Sequence, residues 1–371
     1  MSDPFLQLIG KAHRVNHPVY ASLELTYQCN LACRFCYNPV QRKGQARSAP
    51  PPEPGAELLS YGEILGLLDQ LRDLGVLFLT LTGGEPMLHP RFWDVAREAK
   101  RRSFALRIFS NGIAIDERAA DLFADLVPYC VEISLHGSTD STAEALNQVK
   151  GSQRRTLRAI SLLKDRGVRV FLKCVLTRLV EDELEGVKAL ADEFGLPIYF
   201  DPFLYPSIDG QAYPLELKAS DGAIYRLFSE TGINIGNSPF EVQPDFNCSV
   251  ASGTLHIDPY GFVHPCVQWE ERIGSVRENS MRELWEGSPR LEAIRSMSRA
   301  LPAHIRRSTG DYAFCSFCPA HSRRESGDPM RLDEQHLRVA HIRRVVYRDR
   351  ESRAPLTAAS GPPTMDKGER W

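Results

Sequence analysis

The 371-residue sequence holds no apolar run long enough to cross a bilayer; stretches such as Val76–Leu81 fall far short of the ~20 residues a spanning helix needs. The N-terminal segment MSDPFLQLIGKAHRVNHP lacks a basic region ahead of a long apolar core, so no secretory signal is expected and a cytoplasmic location follows. Charge of one sign is not in excess either. A formal net charge of −2 gives no electrostatic footprint for nucleic acid or an anionic membrane, and neither partner is expected. Internal repeats are missing as well. What remains is an ordinary globular composition, in a chain long enough for one large domain and a smaller one.

Without an oxidising destination, the nine cysteines are not expected to form disulfides. Clustered thiols in a reducing compartment more often bind metal or react. Cys29, Cys33 and Cys36 lie within eight residues, Cys248 and Cys266 flank a stretch rich in turn residues, and Cys315 and Cys318 form a CxxC pair. Cys130 and Cys174 stand alone.

From about residue 20 to 215, short apolar runs alternate with amphipathic segments. Strands are predicted at Ala21–Thr26, Val76–Thr82, Ala105–Ser110, Val131–Leu135, Arg169–Leu176 and Pro197–Pro202. Helices are predicted at Tyr61–Leu74, Arg91–Arg102, Glu117–Leu126, Gln153–Arg166 and Glu181–Phe194. Gly75, Gly167 and Gly195 stand where helices should stop. This alternation predicts an α/β fold with a parallel sheet, and six units are too few for a closed eight-fold barrel. The expectation is a partial (β/α)6 TIM-like barrel over 20–215, after an N-terminal extension (1–19). A connector (216–247), a small C-terminal domain (248–349) and a disordered tail (350–371) follow. Asn38–Ala56, rich in proline and polar residues, reads as a loop that is mobile or folds around substrate. Residues 248–325 read as short on periodic helix, and a helical pattern follows at Leu332–Arg348.

In LELTYQCNLACRFCYNP, the spacing Cys29-x3-Cys33-x2-Cys36 falls in a loop after the first strand. Three thiolates leave one metal position open, whereas a structural zinc site takes four ligands. The nearest histidines are His17 and His89, so a zinc site here would need a distant fourth ligand.

This CxxxCxxC loop, with Phe35 before its last cysteine, resembles the signature of the radical S-adenosylmethionine (SAM) superfamily. Further matches follow at successive strand ends. Gly83-Gly84-Glu85-Pro86 is similar to the motif that receives the SAM amino group, and Ser110-Asn111-Gly112 to the segment that contacts the ribose. Ser134 lies in ISLHGS at the fourth strand, and Lys173 on the fifth matches a basic position facing the SAM carboxylate. Adjacent glycines also allow close backbone approach to a ligand. The resemblance implies a [4Fe–4S] cluster on Cys29, Cys33 and Cys36, reductive cleavage of SAM, and hydrogen abstraction from substrate by a 5′-deoxyadenosyl radical. An external electron donor such as flavodoxin or ferredoxin is implied with it.

Between Cys248 and Cys266, the run TLHI–DPYG–FVHP reads as a hairpin, with Pro and Gly at the second and fourth turn positions. With Cys315 and Cys318 this makes a four-thiolate set, for which a zinc knuckle and a cluster fit equally. The set resembles the auxiliary-cluster region of radical SAM enzymes, called SPASM in full and twitch in reduced form. A full region carries about seven cysteines. Four imply a single auxiliary [4Fe–4S] cluster, and so a small C-terminal auxiliary iron–sulfur domain.

Cys174, beside Lys173, is a candidate hydrogen-atom donor if it faces the cavity. His136 and Asp201 point toward the strand-end face, and Asp209 and Tyr213 are candidate substrate contacts. The resemblance implies an oxidoreductase or maturase that modifies a ribosomally made peptide in natural-product biosynthesis. Since only about 20 residues precede the first strand, a separate peptide-recognition protein is expected to bind the leader. The alternative is a dehydrogenase or epimerase of a sugar or aminocyclitol small molecule.

Overall fold

Alternation along each strand decides which side chains reach the middle of the molecule and which meet the surrounding helices. On Ala105–Ser110, Leu106 and Ile108 are fully buried, while Arg107 and Phe109 keep some exposure on the opposite face. Val170–Val175 repeats the pattern with Leu172 and Cys174 buried and Lys173 on the other face.

The computed structural model describes residues 4–38, 57–230 and 247–353. Helix α1 (Pro4–Arg14) precedes β1 (Tyr20–Thr26), α2 (Tyr61–Asp73), β2 (Phe78–Gly83), α3 (Phe92–Arg101), β3 (Ala105–Ser110), α4 (Glu117–Leu126) and β4 (Cys130–Ser134). Next come α5 (Asp140–Asn147), α6 (Ser152–Asp165), β5 (Val170–Val175), α7 (Leu184–Phe194) and β6 (Ile198–Asp201). Each of these six strands pairs in parallel with the one before it, the arrangement of a partial TIM-like barrel. Local signals agree with this order. Ser60 and Glu63 form a reciprocal capping box that starts α2, and Gly195 adopts φ 64° to end α7.

The C-terminal part does not begin a new sheet. After α8 (Asp221–Glu230), strand β7 (Thr254–Ile257) pairs in parallel with the outer edge of β1. The expected hairpin follows, with β8 (Phe262–His264) antiparallel to β7 and β9 (Gly274–Ser275) beyond it. In its turn Asp258 Oδ1 accepts the N–H groups of Tyr260 and Phe262, both at 2.9 Å.

Six helices depart from the sequence expectation. The N-terminal extension carries α1, and a separate helix, α5, precedes α6. Residues 248–325 are not short on helix, since α9 (Met281–Gly287), α10 (Pro289–Ser308) and α11 (Pro319–Ser326) lie there. In α10 the buried face runs Leu291, Ile294, Arg295, Ser298, Leu301, Pro302 and Ile305, so its period is masked by an arginine, a serine and a proline. The last helix, α12 (Glu334–Arg353), continues past the expected start of the tail. Residues 39–56, 231–246 and 354–371, with most of the expected loop, half of the connector and the rest of the tail, lie outside the described residues.

Arg295 joins α10 to the hairpin. Its Nε donates to Ala251 O and its Nη2 to Trp285 O, both at 2.8 Å, and its guanidinium lies over the Trp285 ring. Only 6% of Arg295 is exposed, so removing it leaves buried carbonyls unpaired. Arg295→Met is expected to lower stability by about 2–4 kcal/mol, measured by chemical denaturation of the purified protein.

Candidate cluster sites

β1 ends at Thr26, and the chain turns into the loop that carries the first three cysteines. This loop is held by its neighbours. Gly84 N–H donates to Thr26 O and Glu85 N–H to Gln28 O, both at 2.8 Å, so the loop after β2 continues the sheet along the start of the cysteine loop. The two glycines permit that contact. A Cβ on Gly84 would lie 2.3 Å from Gln28 O, and one on Gly83, at φ 130°, would lie 2.2 Å from Thr26 O. Further along, Ala32 and Arg34 N–H bond Asn147 O and Leu146 O at the end of α5, and Tyr213 Oη donates to Cys36 O at 2.7 Å.

Glu85 is fully buried. Its carboxylate accepts from Ser110 Oγ (3.0 Å), Asn111 N–H (2.9 Å) and Met87 N–H (3.3 Å), and burial still pushes its pKa up to about 7. In this structure it therefore braces the loops after β2 and β3 from within. The Glu85 carboxylate, expected to meet a SAM amino group, is thus engaged by protein donors. Asn111, expected in the ribose-contacting segment, turns its Nδ2 to Cys29 Sγ (3.6 Å) and Asn30 Oδ1 (2.7 Å).

The three thiols repel one another as anions. Burial pushes Cys29 up to about 11 and Cys36 to about 12, and Cys33 well above its ordinary value, with the neighbouring thiols adding to the rise at Cys33 and Cys36. Three close, buried thiols that ionise reluctantly alone are a donor set suited to a cationic iron cluster, which removes that penalty. Cys33 and Cys36 are only partly buried, whereas Cys29 is buried.

Further expected site residues lie on the inner face of the sheet, away from the helices. Lys173 forms an ion pair with Glu132, which Arg107 also contacts, and its Nζ lies 3.7 Å from the Phe109 ring centre. Ser134, paired in register with Lys173, ends β4 on the same side. Phe35 packs edge-on against His136 at 4.8 Å, and burial pushes His136 down to about 4, keeping it neutral. Asp201 receives Phe203 N–H at 3.0 Å, and burial pushes it up to about 6 against the opposing pull of Lys173 and Arg343. Cys174 does not share this face. It lies on the helix-facing side of β5, 1% exposed in the apolar core, so the expected hydrogen-donor role is not supported. Tyr213, read as a substrate contact, instead braces the cysteine loop; Asp209 bonds Ser207 in the turn before it.

The second cysteine set is assembled across the hairpin and the CxxC loop. Asn247 Nδ2 donates to Phe317 O at 2.9 Å, and Thr254 Oγ1 lies within bonding distance of both Ser249 O (3.2 Å) and Pro265 O (3.1 Å). Cys248, Cys266 and Cys318 feel one another electrostatically, and burial raises all three, Cys248 to about 12. Cys318 stands at the N-cap of α11 without a side-chain cap hydrogen bond, and the backbone N–H groups of His321 and Ala320 offset only part of the rise that burial imposes on its thiol. Its own N–H donates to His336 Nε2 (3.3 Å), while His336 Nδ1 faces Asp333 Oδ2 at 2.6 Å. Cys315 lies in an adjoining apolar cluster with Leu301, Ile305, Phe317 and Ala340, beside the charges of Asp333, Arg343 and Asp311. Sequence reading missed Asn30, a variable position of the cysteine motif, Tyr213 as a brace, and the Asp333–His336 pair; their roles come from contacts that residue type alone does not mark.

Comparison with known proteins agrees with this geometry. Residues 23–191 match the radical SAM superfamily, and residues 248–319 an iron–sulfur cluster-binding domain of the SPASM type. The chain is 27% identical to the PqqA peptide cyclase of Ruegeria pomeroyi, over 85% of this chain and 86% of that one. It is 27% identical to the mycofactocin maturase MftC of Mycobacterium ulcerans (78% and 80%), and 25% to the pre-heme d1 synthase of Dinoroseobacter shibae (83% and 83%). In fold it is similar to SuiB of Streptococcus suis bound to S-adenosylmethionine, with TM-score 0.61 and 16% identity over 91% of this chain and 83% of SuiB.

Gly84→Ala would force the loop after β2 off the Thr26–Gln28 backbone. About four irons per chain are expected to be lost, the content of one cluster, with the C-terminal site still loaded, as measured by iron analysis after anaerobic reconstitution. Two cysteine sets, one in the loop after β1 and one across the hairpin and the CxxC loop, thus accompany a partial barrel, and the chain belongs to the radical SAM superfamily as an enzyme with a C-terminal SPASM-type domain.

Proposed function

We propose that this enzyme modifies a ribosomally made peptide in natural-product biosynthesis. The observation that carries the reading is its near full-length similarity to a peptide cyclase and to the mycofactocin maturase. In the same reading Cys29, Cys33 and Cys36 hold the SAM-binding [4Fe–4S] cluster. Cys248, Cys266, Cys315 and Cys318 hold one auxiliary cluster, Cys315 turning from its apolar neighbours when the cluster is bound. When bound, the first cluster and SAM supply a 5′-deoxyadenosyl radical that abstracts substrate hydrogen.

The chain's own residues have defined tasks. The Gly83–Gly84 backbone and Lys173 bind the amino acid portion of SAM, and Ser134 lines its ribose side; Ser110, expected there, is committed to the buried Glu85. Phe35 and His136 wall the site, holding the substrate C–H bond near the radical and excluding water. With Cys174 on the opposite face, an oxidative outcome such as cross-linking fits better than epimerisation. A flavodoxin or ferredoxin supplies electrons, and a separate protein binds the peptide leader. The similarity to a pre-heme d1 synthase keeps a small-molecule substrate as the competing reading.

The test is incubation of the reconstituted, reduced enzyme and SAM with short peptides encoded beside its gene, followed by mass spectrometry. Loss of a hydrogen pair from one peptide is the expected result. If every such peptide stays intact while a tetrapyrrole or sugar is oxidised, the peptide reading is wrong.

A further inference from the structure

Among the described residues of the first cysteine loop, Cys29 differs from its two partners. Cys33 and Cys36 draw only backbone donors, whereas Cys29 Sγ accepts Leu31 N–H at 3.4 Å and the side-chain amide of Asn111 at 3.6 Å. The amide cannot be turned the other way. Asn111 Oδ1 accepts Ile113 N–H at 2.9 Å, which leaves Nδ2 facing two acceptors, Cys29 Sγ and Asn30 Oδ1.

The backbone of Asn111 is fixed with equal care. Its N–H donates to the buried Glu85 carboxylate at 2.9 Å, and its carbonyl accepts Thr156 Oγ1 at 3.0 Å. Only 8% of Asn111 is exposed, so water competes little for the sulfur. A donor held this firmly, in a site this dry, interacts more strongly with an anionic sulfur than it would in water.

Hydrogen bonds to cysteine sulfur are one of the ways a protein sets the potential of an iron–sulfur cluster. A reduced cluster carries one more negative charge than an oxidised one, so an N–H···S bond stabilises the reduced form more. We infer that Asn111 is a positioning residue that raises the reduction potential of the SAM-binding cluster through Cys29, easing its reduction before SAM cleavage. The inference rests on the reading that Cys29, Cys33 and Cys36 hold that cluster. It gives Asn111 a task separate from any contact with the ribose.

The size of the effect follows from the bond. A hydrogen bond to a charged group contributes about 1.5–3 kcal/mol, and 1.4 kcal/mol is tenfold in an equilibrium. Only part of that distinguishes the two oxidation states, so about a tenfold change in the reduction equilibrium is expected, equal to about 59 mV for one electron.

The experiment is an EPR-monitored redox titration of the full chain, reconstituted anaerobically, for the wild type, Asn111→Asp and Asn111→Leu. Asn111→Asp keeps the acceptor for Ile113 N–H and removes the donor; Asn111→Leu removes the donor without adding charge. The SAM-binding cluster is identified by the change in its signal when SAM is added, and the auxiliary signal serves as an internal reference. With iron content unchanged, both variants are expected to show about a tenfold smaller ratio of reduced to oxidised cluster at a fixed donor potential, and the auxiliary signal should not move. Three results would overturn the inference: no shift in either variant, a shift in Asn111→Asp alone, or loss of the cluster's iron in both, which would make Asn111 a brace for the loop. Absence of any SAM-sensitive signal from the wild type would instead sink the assignment of the three cysteines, and this inference with it.

Discussion

The radical site depends on one buried carboxylate. Glu85 is withdrawn from solvent, yet its oxygens are met by the Ser110 hydroxyl and by the N–H groups of Asn111 and Met87. A buried carboxylate is tolerable only when such donors surround it. The requirement runs in both directions: the loops after β2 and β3 must come together to satisfy Glu85, and their meeting places Asn111 against Cys29. Gly83 and Gly84 make it possible, because any larger residue would hold the loop away from the Thr26–Gln28 backbone.

A second constraint comes from the thiols. In both cysteine sets burial raises the cost of ionisation, and neighbouring thiols add to it. Proteins do not collect buried, mutually repelling acids without a cation to offset them. In the reading proposed for these cysteines, cluster assembly releases protons and couples metal loading to folding. The shared sheet makes that coupling structural, since β7, which leads into the hairpin, pairs with β1, which leads into the first cysteine loop.

Much of this was legible in the sequence because it rests on local signals. The six parallel strands and their helices follow from hydrophobic alternation, and the Asp258–Gly261 turn from residue types that leave few choices. Other features depend on contacts between distant segments. The sequence marks Glu85 as part of a motif, but only the fold shows its oxygens turned inward to Ser110 and Asn111. Cys174 adjoins Lys173 in the chain, yet the strand pleat sends them to opposite faces. Helix α10 was hidden because its buried stripe includes Arg295, whose polar atoms are satisfied by the distant Ala251 and by Trp285. Its start was nevertheless marked, by Ser288 as cap and Pro289 in the first turn.

Cys29, Cys33 and Cys36 are proposed to form the source of a radical rather than a closed structural metal site. The most direct measurement is 5′-deoxyadenosine, quantified after the anaerobically reconstituted chain is mixed with SAM and a low-potential reductant. The account expects SAM cleavage by the wild type and none after Cys33→Ala. A fully iron-loaded, reduced wild type that leaves SAM intact would contradict it.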